Sequence, residues 1–477
     1  MISACVESKV PNSSNPSSFK TDVVIIGAGP TGLMAAQALA SFGLGVMVVE
    51  RRDAGEIYGN ADGLQPRTLE IWNSYGFLDK FSKQAATVHG LLTVKHLVDK
   101  LGRKPPSSTS QIQAKYIIGA DGAHSWVRQQ IGVKLEGERA GKSLYIFQIF
   151  LQIQWNYKRM FGAWCYHLFF NLLRWKEIIP REEDKLRIYV QCSSEDQITC
   201  QANSDTMTAA KYTEKKLLQH ISNGLQPYKI IFTKIFWSTV FSASQKVADT
   251  FRVGSAFIAG DSAHTHSPKA GQGANVSMGD AHNLAWKLAW VVKGWSDDSL
   301  LDTYETERRA LAHQLIKFDK AISATLDGCK ASVYSSMLHQ QNLFSSGIGI
   351  RYKSRLVIEL ESQKGTLDIS GLAVGTRLPP TEIIRMADWQ PMDMQDLAPC
   401  DVLFKVLIFA GDLFDHRHYT ALQGLTQTFQ KMADSKDKED ASLLQRFTMY
   451  TIIINSKESN IWKQVPTILR DWKRYIS

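Results

Sequence analysis

The turn Gly27-Ala28-Gly29-Pro30-Thr31-Gly32 and the acid Glu50, eighteen positions beyond Gly32, have the residue types and spacing to hold a dinucleotide. In a G-x-G-x-x-G turn the first glycine permits the tight bend, the second lets backbone approach a pyrophosphate, and the third lets helix lie close to strand. An acid ending the next strand is placed to accept both hydroxyls of an adenosine ribose, while the first helical N–H groups hold the pyrophosphate. Pro30, Thr31 and Arg51 are counted with this site. Two further strand-to-turn junctions could present chemistry: Gly119-Ala120-Asp121-Gly122 and Ala259-Gly260-Asp261-Ser262. An Asp at a strand end can bind a ribityl hydroxyl. The glycine-rich run Gly271-Gln272-Gly273-Ala274-Asn275 can turn N–H groups toward a pyrimidine edge or a reacting oxygen.

Each signal needs an element to position it. Val23 to Ile26, β-branched and too short for a helix, reads as a buried parallel strand. A helix follows to about Phe42, ended by Gly43 and Gly45, and Val46 to Val49 form the second strand. Pro66 suits the first turn of a helix reaching about Tyr75, which leaves Asp62 in the loop before it. By spacing alone Asp62 reads as a turn or capping carboxylate. Between Phe81 and Gln113 the pattern is poor, and Lys104 to Ser110 reads as turn or linker. Ser125 opens a helix after the Asp-Gly turn, and a long amphipathic helix is expected from roughly Ser277 to Val292. Leu186 onward alternates as a strand, so Arg187 and Tyr189, two apart, share a face. By pattern alone that is an ordinary polar strand face. Leu311 to Thr325 reads as helical and Val402 to Phe409 as a strand.

The chain has 477 residues, too many for one core, with 44% hydrophobic and 21% charged residues, the balance of a globular protein of two or three domains. No run reaches the roughly eighteen apolar residues that span a bilayer, so stable membrane insertion is not expected. The first twenty residues lack the apolar core of a secretory signal and read as a disordered lead-in, making the cytoplasm the default compartment. A net charge of +9 favours anionic ligands. No basic run interleaved with aromatics argues for nucleic acid. The six cysteines show no C-x-x-C spacing and read as reduced thiols, with no metal site expected. His264 and His266 read as a packed loop, two histidines being too few for a metal.

Together the Gly27–Glu50 unit, the Asp-Gly turn at 121–122 and the Gly-Asp turn at 260–261 resemble the three fingerprints of single-component FAD-dependent aromatic hydroxylases. Tyr58-Gly59-Asn60-Ala61-Asp62-Gly63-Leu64-Gln65 narrows the resemblance to the phenol 2-monooxygenase branch. The resemblance implies an α/β fold: a Rossmann-like FAD-binding domain of the GR2/PHBH type, an inserted β-sheet substrate domain, and a partial thioredoxin-like C-terminal domain. The implied boundaries are a lead-in at 1–20, the FAD domain at 21–135 and 245–330, the substrate domain at 136–244, a helical connector at 331–364 and the last domain at 365–477. It implies FAD as cofactor, NADPH or NADH as co-substrate, and O₂ and a phenolic compound as substrates. The implied chemistry is hydroxylation through a flavin C4a-hydroperoxide. It makes Asp62 the base that takes the phenol proton, with Arg187 and Tyr189 bordering flavin and ring. The C-terminal domain lacks a C-x-x-C, leaving packing or homodimerisation as its expected role. Two departures stand out: the interval between Asp62 and the Asp-Gly turn is short, and the last domain stops early, at Ser477. They raise the alternatives of a truncated chain or of a catalytically silent flavin-fold paralogue acting as a binding subunit. A flavin dehydrogenase or oxidase is a third reading.

Overall fold

Val23, Val24, Ile25 and Ile26 end strand β1 (Ser18–Ile26); helix α1 (Pro30–Ser41) follows the glycine turn and leads to strand β2 (Val46–Val49). The computed structural model describes residues 18–52, 63–82, 86–88, 91–93, 111–139, 145–153, 167–171, 174–180, 185–191, 218–219, 222, 232–242, 244–268, 271–326, 336–337, 339–357, 373–386, 388–435, 442–453, 461–469 and 475–476. β1 starts before its apolar run because Ser18–Lys20 pair with residues 111–113 of the strand Gln111–Gly119. Three residues expected in the lead-in therefore belong to the sheet.

The chain divides into two compact units, residues 1–71 with 77–358, and residues 72–76 with 359–477. In the first, a five-stranded sheet runs in the order Arg252–Val253, Ala256–Ile258, Gln111–Gly119, β1, β2. All neighbours are parallel except the Arg252–Val253 edge. Val23, Ile25, Ile118, Phe257 and Ile258 are at most 1% exposed, which is why the strands end in continuous apolar runs, Val23–Ile26, Ile117–Ile118 and Ala256–Ile258, although the first half of Gln111–Gly119 alternates. Burying each such side chain contributes about 1.5–3 kcal/mol. Two registers matter for function: Ile26 and Ile258 both pair with Gly119. Three parallel strands thus end level, and each is followed by one of the three glycine turns, two of which carry an acid. Open α/β sheets bind ligands at that edge.

The long helix Gly273–Val292 packs on α1. It begins four residues before the expected Ser277, because Val276 N–H donates to the Gln272 carbonyl and closes the first turn over the Gly-Ala-Asn segment. The next long helix is Asp302–Leu326. A second five-stranded sheet is antiparallel, in the order Phe232–Ser242, Tyr145–Ile153, Lys185–Gln191, Arg174–Pro180, His167–Asn171. The stretch that read as poor pattern holds two short strands, Ala86–Val88 and Leu91–Thr93, the latter pairing with Gly63–Leu64.

In the second unit, strands Phe404–Gly411, Phe447–Ile453 and Tyr475–Ile476 form a parallel sheet. Helix His416–Ala433 makes the first crossover, and Ala410, Leu413, Leu422, Ile453, Ile461, Val465 and Leu469 form the core. The first strand begins two residues later than expected because Val402 has φ +68, incompatible with a strand.

Candidate active site

The level ends of the three parallel strands bring their turns into contact. Gly27 has φ +108, and a Cβ there would overlap the Ala120 carbonyl of the neighbouring turn. Gly32 abuts the Gly27 carbonyl, whereas a Cβ on Gly29 would meet nothing within 4 Å. Gly260, at φ +63, is wedged between Thr31 of α1 and Ser277 of the long helix. α1 starts at Pro30 with Gly29 as its N-cap, no side-chain cap and no acid in its first turn. Its positive end is therefore left for an anion.

Glu50 closes β2 and already faces that turn. Its Oε2 accepts from Ala28 N–H at 2.8 Å and its Oε1 from Arg52 N–H at 3.0 Å. Burial raises its pKa, but the Arg52 side chain and the two backbone N–H groups outweigh that and bring it down to about 2. Arg51 is exposed.

The two turn aspartates have different surroundings. Asp121 Oδ2 accepts from Trp126 N–H at 2.7 Å and Val127 N–H at 3.1 Å, and Oδ1 accepts from Ser125 Oγ. This carboxylate therefore holds the start of helix Trp126–Gln130. It also accepts from Ser262 Oγ at 3.2 Å, while Arg128 Nη1 donates to the Ser262 carbonyl at 2.8 Å, so the two acid turns are tied together. Asp261, one residue before Ser262, is exposed and has no hydrogen bond among the described residues. Of the two, Asp261 has its acceptors open to a ligand.

At the long helix, Gln272 is the N-cap without a capping bond, and the first turn carries no acid. The Gln272 side chain donates to the Ser345 carbonyl at 2.8 Å, and that of Asn275 is likewise bonded to protein. Gly271, whose N–H donates to the Pro268 carbonyl at 3.0 Å, makes the turn at φ +60, and the helix start at Gly273, Ala274 and Asn275 leaves first-turn N–H groups without a partner inside the helix.

Asp62 lies outside the described residues. Arg187 is buried, 3% exposed, in the central Lys185–Gln191 strand, registered with Ile179 and Phe150. Tyr189 follows on the same strand, opposite Glu177 and Gln148. These two therefore belong to a different sheet from the three turns.

Residue spacing did not reveal what holds the turns. Asp280, fully buried on the long helix, accepts from Gly260 N–H at 3.0 Å, bonds His264 Nε2 at 2.8 Å, and pairs with Arg308 Nε at 2.6 Å. Burial works against its charge, yet Arg308 and His264 more than compensate and hold its pKa below the ordinary value. His266 Nδ1 bonds the Ser267 carbonyl at 2.7 Å. The available signal was Asp280 standing in the apolar stripe Val276–Leu284–Leu288, where an unpaired charge would be costly.

Comparison with known proteins agrees with this geometry. Residues 20–101 and 96–319 match the family described as FAD binding domain, and residues 350–476 match the phenol hydroxylase C-terminal dimerisation domain. A phenol 2-monooxygenase, fsqG, of Aspergillus fumigatus is 27% identical over 82% of this chain and 76% of its own length. The 3-hydroxybenzoate 4-monooxygenase of Comamonas testosteroni is 26% identical over 90% of this chain and 79% of its own. Among solved structures, the flavin-dependent monooxygenase PieE, in complex with FAD and substrate, superposes with a TM-score of 0.71 at 15% identity, covering 97% of this chain and 96% of PieE. Aklavinone-11 hydroxylase, with FAD and aklavinone, gives 0.66 at 18% identity, covering 93% and 91%. At such identities these structures speak to the fold alone, which is of the GR2/PHBH type.

Proposed function

The chain belongs to the FAD-dependent aromatic monooxygenases that join an FAD-binding domain to a phenol hydroxylase dimerisation domain, and from that premise we propose that it hydroxylates a phenolic compound with NADPH or NADH and O₂. The observation that carries the reading is the convergence of three turns at one sheet edge, with Gly260 lodged against Thr31 and Ser277. The residues fit FAD. Uncapped N–H groups of α1 suit its pyrophosphate, Glu50 its adenosine ribose and Asp261 its ribityl hydroxyls. The first-turn N–H groups of Gly273 and Ala274 suit the carbonyl oxygens of its pyrimidine end. When bound, FAD supplies hydride acceptance from the nicotinamide and transfer of one O₂ oxygen to the ring, the other leaving as water.

The chain's own residues prepare the substrate. Asp62, as a carboxylate, takes the proton from the phenolic oxygen, and the phenolate is the stronger carbon nucleophile. A phenol titrates near pH 10 when unperturbed, so a base at the oxygen lowers the barrier at neutral pH. Arg187 and Tyr189 border the ring and the flavin, the buried guanidinium favouring the phenolate by its charge. The second unit provides the contact for a homodimer.

The purified chain is expected to carry yellow flavin and to consume NADPH faster when a phenol is added, with hydroxylated product appearing. Asp62→Asn should lower product formation about 100-fold or more, the usual worth of a positioned base. Flavin bound with no product from any phenol in a panel would sink the reading. Purification without flavin, in complex with an intact homologue, would favour the silent binding subunit. ¹⁸O₂ leaving no label in product would instead favour a dehydrogenase or oxidase.

A further inference from the structure

Asp319 stands on helix Asp302–Leu326 and is 1% exposed. Its Oδ2 accepts from Gln245 Nε2 at 2.7 Å and from Ser267 N–H at 3.0 Å, and its Oδ1 accepts from Ser267 Oγ. Unlike Asp280, which pairs with Arg308, it forms no ion pair among the described residues. A buried carboxylate is costly without such partners, so these hydrogen bonds carry its charge. Gln245 belongs to strand Ser244–Ala248, which pairs with His264–Thr265. One carboxylate therefore ties a helix, a strand and the segment that follows its partner strand.

That segment leads to the start of the long helix. Ser267 is fully buried, and its N–H and hydroxyl both go to Asp319. Its carbonyl accepts from His266 Nδ1 at 2.7 Å, which fixes the proton on that nitrogen, because a carbonyl only accepts. Pro268 has no N–H, and its carbonyl accepts from Gly271 N–H at 3.0 Å. The His266 ring lies against the same helix start: a Cβ added at Gly273 would meet its Cε1 and Nε2 at 3.6 Å. Two contacts thus run from the neighbours of Ser267 to Gly271 and Gly273.

We propose that Asp319 is a positioning residue for the flavin: by holding Ser267 it sets Pro268 and the His266 ring, and with them the direction of the first-turn N–H groups at Gly273 and Ala274. This rests on the reading that those N–H groups meet the carbonyl oxygens of the flavin's pyrimidine end. Reduction adds negative charge at that end, so donors aimed at it favour the reduced form and raise its midpoint potential. Misaligned donors lose that advantage steeply. Loss of the bonds from Ser267 therefore lowers the potential, while α1, which shares none of these contacts, keeps its pyrophosphate site.

The midpoint potential of the bound flavin is measured by dye equilibration in full-length, FAD-loaded proteins, beside their melting temperatures. Asp319→Ala removes all three bonds; Ser267→Ala removes one and serves if the first variant fails to fold. Asp319→Asn is the conservative variant. Its amide oxygen can take both N–H donors, and its amide nitrogen can donate to Ser267 Oγ, which is able to accept. The expected result is a lower potential in Asp319→Ala, a smaller fall in Ser267→Ala, and a value close to wild type in Asp319→Asn. A residue that only supports the fold would lower the melting temperature and leave the potential where it was, which overturns the proposal. A potential that rises in Asp319→Asn and Asp319→Ala alike would trace the effect to lost charge and overturn it too. Ala274→Pro deletes one donor in a first helical turn, where proline is tolerated. An unchanged potential in that variant would remove the donor reading and this inference with it. A fall there, beside wild-type potentials in the Asp319 and Ser267 variants, would remove the positioning role alone.

Discussion

Glu50 holds its charge far into acid. Its carboxyl is brought from an ordinary 4.5 to about 2 by Arg52 and by two backbone N–H groups. A group whose folded pKa is depressed contributes stability that is whole above the unfolded value and is lost as pH falls through the folded one. The window for Glu50 therefore runs from about 4.5 down to about 2, below the range in which the protein would be assayed. FAD affinity is expected to stay flat between about pH 5 and pH 8 as far as Glu50 is concerned. Glu50→Gln, which swaps one acceptor for a donor facing Ala28 N–H and the ribose, should weaken FAD binding by about 1.5–3 kcal/mol, the worth of a charged hydrogen bond. Titration of apoprotein with FAD, followed by flavin fluorescence, reads both outcomes; a steep change in affinity across neutral pH would contradict the first.

Helices Gly273–Val292 and Asp302–Leu326 are joined by buried ions. Asp280 meets Arg308, which also donates to the Val276 carbonyl and to Tyr352; nearby Lys287 meets Glu307 at 2.7 Å, with Asn283 bonded to both. Gly279 sits in a helix interior, where glycine costs about 1 kcal/mol against alanine. A Cβ there would come within 2.9 Å of the Arg308 guanidinium, so the glycine makes room for the pair. Asp280→Asn leaves a buried guanidinium without its counter-charge and should destabilise the protein by about 3–5 kcal/mol. The same change slackens the bond to Gly260 N–H, so FAD should bind more weakly even where the protein is folded. Denaturant melts with and without FAD separate the two effects, and an unchanged midpoint would contradict the assignment. The sign with pH follows from the lowered pKa of Asp280. Its stabilising share is complete above the ordinary carboxylate range and disappears as the pH drops beneath it.

At the scale of the molecule, the chain carries two units with separate cores, and the second matches a dimerisation domain. Trp389, Phe404, Phe409, Phe414 and Leu425 are among its exposed apolar side chains. Sedimentation velocity of the full chain is expected to give a particle of two chains, and a monomer at micromolar concentration would contradict this. Among the described residues no helix is long and apolar enough to cross a membrane.

Local chemistry settled much of this protein in advance. β-branched runs made strands, Gly27 to Gly32 made the turn, and Glu50 fell at the end of β2, because each depends on neighbours within a few residues. The long helix was legible for the same reason, apart from its first turn, where Gly273 and Asn275 have weak propensity and Asn275 is held by distant partners. Tertiary structure alone decided how the two acid turns meet. Asp121 bonds Ser125, Trp126 and Val127, all within six residues of it, but its bond from Ser262 comes from 141 positions away, while Asp261 beside Ser262 stays exposed. It also decided that Asn275 serves Gly63, Gln65 and Thr68, and that Asp280 serves Gly260. A buried polar group must find a partner, but nothing in its spacing names that partner when it arrives from 20 or 200 residues away. Only the level ends of three parallel strands, brought together by the sheet, determine who meets whom.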